Sequence, residues 1–440
     1  MPNGPSESCF KAAERYSTNK TKIKIAALSA MTQTCMVLRS IAQPYLYHYP
    51  SVRAPDVYKR LLRTLVERPD LAQCIKELSA FEMICDYDIR DEVSDISQLQ
   101  GEEEKIIRHH IQECDRYHDF LSFEERADIM YDVNILFTTL VLPFGANLEI
   151  LHFELMEENE FPSCEPGSLP RLKELVVHNP WEMQEVGTGC ISSLLNAAPA
   201  LERLGGHKIC GDDWKGPRPP IHEGVKEVLF ERCVLSPQAV TKLLGPFPRL
   251  EAFTYELFDA RPPDLSSPIL EAASMSEIAE ALLACPDLRF LSIDFTDLIQ
   301  PNPSDDKNPA DHLVRLKKLQ KFRVKAFSPY DKTEPLFARE APRIKLCDML
   351  PDSITELEVT RPSSIIFDAM LELSAVASQR FPLLKHVSID GIEQERQKVL
   401  VRRVQAGMGL ARINELRQAF QQSGIELLTG DFGKYRSWQI

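Results

Sequence analysis

No run of about 18 apolar residues occurs anywhere in the 440-residue chain, so no hydropathic membrane span is expected. The first residues lack an apolar signal core: Lys20, Lys22 and Lys24 sit there among polar neighbours. The eleven cysteines form no close pairs, and their number is odd. With no secretory signal, that usage points to reduced thiols in a cytoplasmic or nuclear protein. Asn19-Lys20-Thr21 is therefore a glycosylation sequon by letters only. Excess positive charge is also missing. The formal net charge is −14, a poor balance for gripping phosphate backbones, so no nucleic-acid partner is expected. Gly187-Thr188-Gly189 has no third glycine and no Lys-Ser/Thr after it, so it is no phosphate loop. No serine stands in a nucleophile elbow. His110, Cys114 and His118 follow each other at four-residue steps, but on a helix three such donors span about 12 Å, too far for one tetrahedral ion. No catalytic residue, metal or cofactor emerges, and the function class left is non-enzymatic binding.

What the chain does have is one recurring phrase. A leucine-like residue is followed by another three on, and by a third apolar residue two further. Nine copies start at Leu148, Leu172, Leu201, Val225, Leu250, Leu288, Leu319, Ile354 and Leu384, between 24 and 38 residues apart. A further copy stands apart at Ile75, Leu78 and Ala80. The last two apolar positions of each copy alternate with polar ones, which marks a short strand with one buried face. Pro170, Pro199, Pro248, Pro286 and Pro382 each lie two residues before a first apolar position. Proline fixes its own backbone torsion and disfavours helix in the residue before it, so it ends one element ahead of the next. Helix-like stretches such as 191–197 and 274–284 fill the intervals. One strand plus one helix at this period is the leucine-rich-repeat signature. Val225, Val228, Phe230, Cys233 and Leu235 fit all five positions of its long form, whereas Pro180 and Phe327 stand where Cys or Asn is usual. The expected fold is an α/β leucine-rich-repeat solenoid: an irregular curved array, parallel strands on the concave side, helices on the convex side, and a helical N-terminal cap.

Taken in order, residues 1–24 read as loose. Apolar residues at three- and four-residue steps from Ile25 predict an amphipathic helix ending before Pro44. A second helix is expected from about Asp56, ended by Pro69, and Ile75 to Phe81 as the first strand. Residues 101–142 read as a helical insert, with a capping box at Ser122 and Glu125. The Pro- and Asp/Ser-rich stretches 261–268 and 301–306 read as exposed loops. Two helices, 393–405 and 411–422, and a last strand from Ile425 close the repeat domain, which spans 51–430. The stretch Leu28 to His48, with Thr34-Cys35, Leu38-Arg39 and Ile41-Ala42-Gln43-Pro44-Tyr45-Leu46-Tyr47-His48, resembles the second half of a fungal-type F-box. Tyr58 to Leu65, Arg68-Pro69-Asp70-Leu71, Ile75 and Leu78 continue the likeness.

The resemblance implies a protein that docks on the adaptor subunit of a cullin-RING ubiquitin ligase and holds a protein substrate on its repeats. Leu28, Met31, Leu38, Ile41, Pro44, Leu46 and Tyr47 would then carry the adaptor contact. Residues 1–24 show none of the Leu-Pro start and Leu/Ile-rich first helix with which that family opens. The alternative is a repeat scaffold that has lost adaptor binding. Strand alternation gives a second set of candidates, the outward residues of the concave face. They include His178, Glu227, Glu231, Glu256, Phe290, Asp294, Lys321, Arg323, Lys325 and His386. Within that set Lys321, Arg323 and Lys325 predict a basic patch suited to an acidic or phosphorylated peptide.

Overall fold

A computed structural model describes residues 19–50, 61, 64, 65, 67–80, 146–154, 165–179, 192–211, 219–257, 272–294, 310–325, 346–360, 364–390 and 403–430. The chain divides into two compact units, the second formed mainly by the residues from Val176 onward. The first holds helices α1 (Asn19–Thr34), α2 (Met36–Leu46) and α3 (Pro69–Ala72) with strands β1 (Glu77–Ala80) and β2 (Ile150–Glu154). Strand β3 (Glu174–His178) and helix α4 (Ser192–Ala197) straddle the division. The second unit holds β4 (Arg203–His207), β5 (Cys210–Gly211), β6 (Glu227–Leu235), α5 (Pro237–Leu244), β7 (Ala252–Leu257), α6 (Met275–Leu282) and β8 (Phe290–Asp294). It continues with α7 (Ala310–Leu313), β9 (Lys321–Lys325), α8 (Leu346–Met349), β10 (Glu356–Thr360), α9 (Ser364–Arg380), β11 (His386–Asp390), α10 (Arg403–Gln422) and β12 (Glu426–Gly430).

The class is α/β, with an open, all-parallel sheet whose strands follow each other in chain order. Among the described strands only β5 leaves this path, pairing beside β6. Strict sequential order with right-handed crossovers sends every connecting helix to one face of the sheet. In the second unit α5 to α10 accordingly pack each against the next.

The sequence phrase accounts for the register. A strand begins two residues after the first apolar position in all nine copies, and again after Ile75. Those first positions are buried, as are Leu78, Leu175, Val228, Leu291 and Leu357 three residues further on. Four of the five in-phase prolines, Pro170, Pro248, Pro286 and Pro382, occupy the second place of a hydrogen-bonded tight turn. The Leu172 N–H donates to the Leu169 carbonyl, Leu250 to Phe247, Leu288 to Cys285 and Leu384 to Phe381. Proline's fixed torsion suits that place, so the turn is preset in the unfolded chain. Adjacent strands then lock by a repeated paired bond. The N–H groups of Arg289 and Phe290 donate to the Glu251 carbonyl, and those of Thr355 and Glu356 to Gln320.

Gly206 stands where other copies carry an apolar side chain, and a Cβ there would lie 2.5 Å from the Phe230 ring. The ring of the next strand fills the missing volume. Capping fixes the helices. In α6 the Ser274 hydroxyl accepts from the Glu277 N–H at 3.3 Å, and the Glu277 carboxylate accepts from the Ser274 N–H at 2.8 Å. Ser274→Ala should cost about 1 kcal/mol in urea denaturation, whereas Ser274→Thr, whose hydroxyl can still accept from the Glu277 N–H and donate to the Glu277 carboxylate, should cost far less.

Several expectations are corrected. Helix α1 starts at Asn19, inside the stretch read as loose. The single helix expected from Ile25 is two, because Cys35 adopts an extended N-cap conformation (φ −154°, ψ 165°) with its thiol accepting from the Leu38 N–H. Helix α2 runs through Pro44 to Leu46, since in the last turn proline costs only one internal bond. Pro69 opens α3 rather than only ending its predecessor, being tolerated at a first helical position. Helix α10 is continuous across Gly407 and Gly409, where two helices were expected. The helix start at Asp56, the insert 101–142, the loops 261–268 and 301–306, and residues 393–402 lie outside the described residues.

Candidate functional site

In the second unit, alternation places three rows of side chains on the sheet face opposite the helices. Register aligns Gly205, Leu229, Thr254, Ser292, Arg323, Glu358, Ser388 and Leu428 as the central row. Thr254, Ser292, Glu358 and Ser388 in this row are buried. The flanking positions are more open: Glu227, Glu231, Glu256, Phe290, Glu356, Thr360 and His386 are half-buried and Lys321 is exposed. The central row is thus a mixed floor between more open rims: Thr254, Ser292 and Ser388 are short and polar, Leu229 and Leu428 apolar, and Arg323 and Glu358 charged. Half-buried Leu229, an apolar outward residue, was missed in the candidate set although its alternation marks it.

Two of the three cations of the basic patch are neutralised from within. Lys321 Nζ lies 3.1 Å from Glu356 Oε2, and Arg323 Nη2 donates to Glu358 Oε2 at 2.9 Å. Both carboxylates sit on β10, directly across from their cations on β9. Copy alignment held this signal, because the pairs occupy equal places in successive phrases. Lys325 and Asp294 lie on β9 and β8, and their side chains are outside the described set. His386 Nδ1 lies 3.1 Å from Glu426 on β12.

His178 and His207 meet across β3 and β4, their rings stacked at 4.6 Å. Burial first, then the charges of His178, Lys208 and Arg232, push the His207 pKa from 6.5 down to about 2. The folded state therefore holds this ring neutral while the unfolded chain takes up a proton below 6.5. Stability should fall as pH drops through 6.5 and keep falling towards about 2. The slope is about 1.4 kcal/mol per pH unit for one proton. His207→Gln should flatten that part of a stability-against-pH curve, measured by urea midpoints between pH 7 and 5. Lys208 and Arg232, at equivalent places in consecutive copies, both take positive φ (55° and 56°). Nothing in the letters Lys or Arg announces that conformation.

The first unit carries a different surface. Met36, Val37, Ile41, Tyr45 and Tyr49 are exposed, while Ala42 is the residue α2 buries. Four of them step by four residues, which makes an apolar ridge along one helix face and its continuation. Of the seven residues given to the adaptor by resemblance, Ile41 belongs to this ridge, 53% exposed. Leu28, Met31, Leu38, Pro44, Leu46 and Tyr47 are half-buried. The His48 carbonyl accepts from the Lys76 and Glu77 N–H groups, as a preceding strand would. The segment just after α2 is therefore hydrogen-bonded to the start of β1, within this unit.

Among the described residues no group of three or more His, Cys, Asp or Glu could hold a metal ion, and no helix is long and apolar enough to cross a membrane. His110, Cys114 and His118 are outside that set, as is Gly187-Thr188-Gly189. Cys35, Cys74, Cys233, Cys285 and Cys347 are free thiols, and burial drives the Cys285 pKa up to about 12, so that thiol stays protonated and unreactive. No protein-family model matches the chain, and no curated protein matches it.

Proposed function

We propose that this chain is a non-enzymatic leucine-rich-repeat receptor of the F-box type. The repeats hold a protein substrate on the polar sheet face, and the N-terminal helices dock on the adaptor subunit of a cullin-RING ubiquitin ligase. The observation that carries the reading is the apolar ridge of α2, Val37, Ile41 and Tyr45, in a chain whose strands recur in step with the leucine phrase. Exposed apolar residues in such a row mark an interaction site. Leucine-rich-repeat identity draws further support from Cys233. It is buried in the long-form copy, accepts from the Ile209 N–H at 3.3 Å, and reaches the Gly206 and Glu231 carbonyls. That place is one where the repeat family carries Cys or Asn.

The test is co-expression of the full chain with the adaptor subunit. The receptor reading expects a complex that survives gel filtration and is lost in Ile41→Asp, which sits on the open ridge. Absence of a complex with wild-type chain would leave the second reading, a repeat scaffold without adaptor binding. The half-burial of six of the seven residues named by resemblance favours that second reading.

A further inference from the structure

The Arg323–Glu358 pair is made through one hydrogen bond, Nη2 to Oε2, rather than two parallel ones. Arg323 Nε and Glu358 Oε1 are buried and have no hydrogen-bond partner, and Thr254 Oγ1, two strands away in the same row, is in the same condition. Glu358 and Thr254 are only 9% and 5% exposed. Leaving such atoms unpaired is costly, and a buried donor beside a buried acceptor calls for a group that offers both in return. A carboxamide does so: its carbonyl accepts from Nε and its amino group donates to Oε1. A carboxylate or phosphate does not, since it would meet the Glu358 charge and find the guanidinium already neutralised.

We infer that the partner segment held on this face presents an Asn or Gln side chain to the Arg323–Glu358 pair, rather than an acidic or phosphorylated residue. This rests on the reading of the face as the substrate surface. A side chain, not the main chain, must make the contact. Lys321, Glu356 and Thr360 beside the pair stand more open than the floor, so a backbone lying across them is held off it. Arg323 is itself partly open, its side chain 28% exposed, so the guanidinium can turn to meet a ligand.

The experiment uses the full chain against an array of synthetic heptapeptides with randomised flanks and Gln, Asn, Glu, phosphoserine or Lys at the centre. Gln- or Asn-centred peptides should be retained. Changing the central Gln of a retained peptide to Glu should weaken binding about tenfold or more in fluorescence anisotropy. The double variant Arg323→Ala/Glu358→Ala should lose the same preference. Retention of Glu- or phosphoserine-centred peptides, retention of none, or an unchanged preference in the double variant overturns the inference. Adaptor binding is read separately. A wild-type chain that binds the adaptor but selects no amide peptide sinks this inference alone, and one that selects them without binding the adaptor sinks the receptor reading alone.

Discussion

Leu291→Ala should remove roughly 2–5 kcal/mol of stability, the range for truncating a fully buried leucine. Leu291 is the second residue of β8, in register with Phe253 on β7 and Phe322 on β9, and all three are buried. Two large rings held by a sheet ladder on either side cannot collapse far into the space a lost isobutyl group leaves. The residual cavity adds to the lost transfer energy, so the value belongs in the upper half of the range. Lys321→Ala, one strand away on the opposite face, is the contrast. Its ion pair with Glu356 is half open, with side-chain exposures of 50% and 31%, and such pairs contribute about 0–1 kcal/mol. Urea denaturation followed by circular dichroism measures both. A severe loss in Lys321→Ala beside a mild one in Leu291→Ala would mean that the inward and outward sets are exchanged. In stacked arrays local damage can also lower the cooperativity of unfolding, so the slope of the transition should be compared along with its midpoint.

Much of the sheet could be read from spacing alone, because a strand with one buried face leaves a two-residue alternation and each copy repeats it. The prolines in phase marked an element boundary before five of the strands, though not the turn they occupy. Helix boundaries were harder. Cys35 interrupts a continuous apolar pattern, and Pro44 fails to interrupt one, because both outcomes depend on where in a turn the residue falls. Gly206 leaves its copy without a third apolar side chain and Phe230 occupies the space; compensation between neighbours 24 residues apart has no local signature. On the candidate face, the pairing of the basic cluster was not read from the sequence. Lys321, Arg323 and Lys325 cluster in sequence, while the carboxylates that answer the first two come from the following copy. The apolar ridge of α2 was half seen. Ile41 was named through resemblance, but Met36, Val37, Tyr45 and Tyr49 were not, although the step of four from Val37 to Tyr49 was there to be counted.

Arg323→Ala should destabilise the second unit more than Arg323→Ala/Glu358→Ala does. The single change leaves the Glu358 carboxylate, on a residue only 9% exposed, without the guanidinium that balances it. Desolvation of an uncompensated charge costs several kcal/mol in a sealed interior. With Arg323 partly open, water offsets some of this, and a loss of about 1–3 kcal/mol is the reasonable scale. Removing both partners eliminates the stranded charge together with the bond, so the double variant should recover at least half of that loss. The pair is thus a poor source of net stability, and its single hydrogen bond leaves two polar atoms unanswered. Such an arrangement makes more sense as a recognition element than as a brace. A thermodynamic cycle over wild type, both single variants and the double variant, measured in urea at one pH, gives the coupling directly. Additive losses from the two single changes would show that the 2.9 Å bond is not maintained in solution, and the amide-reading role of the pair would fall with it.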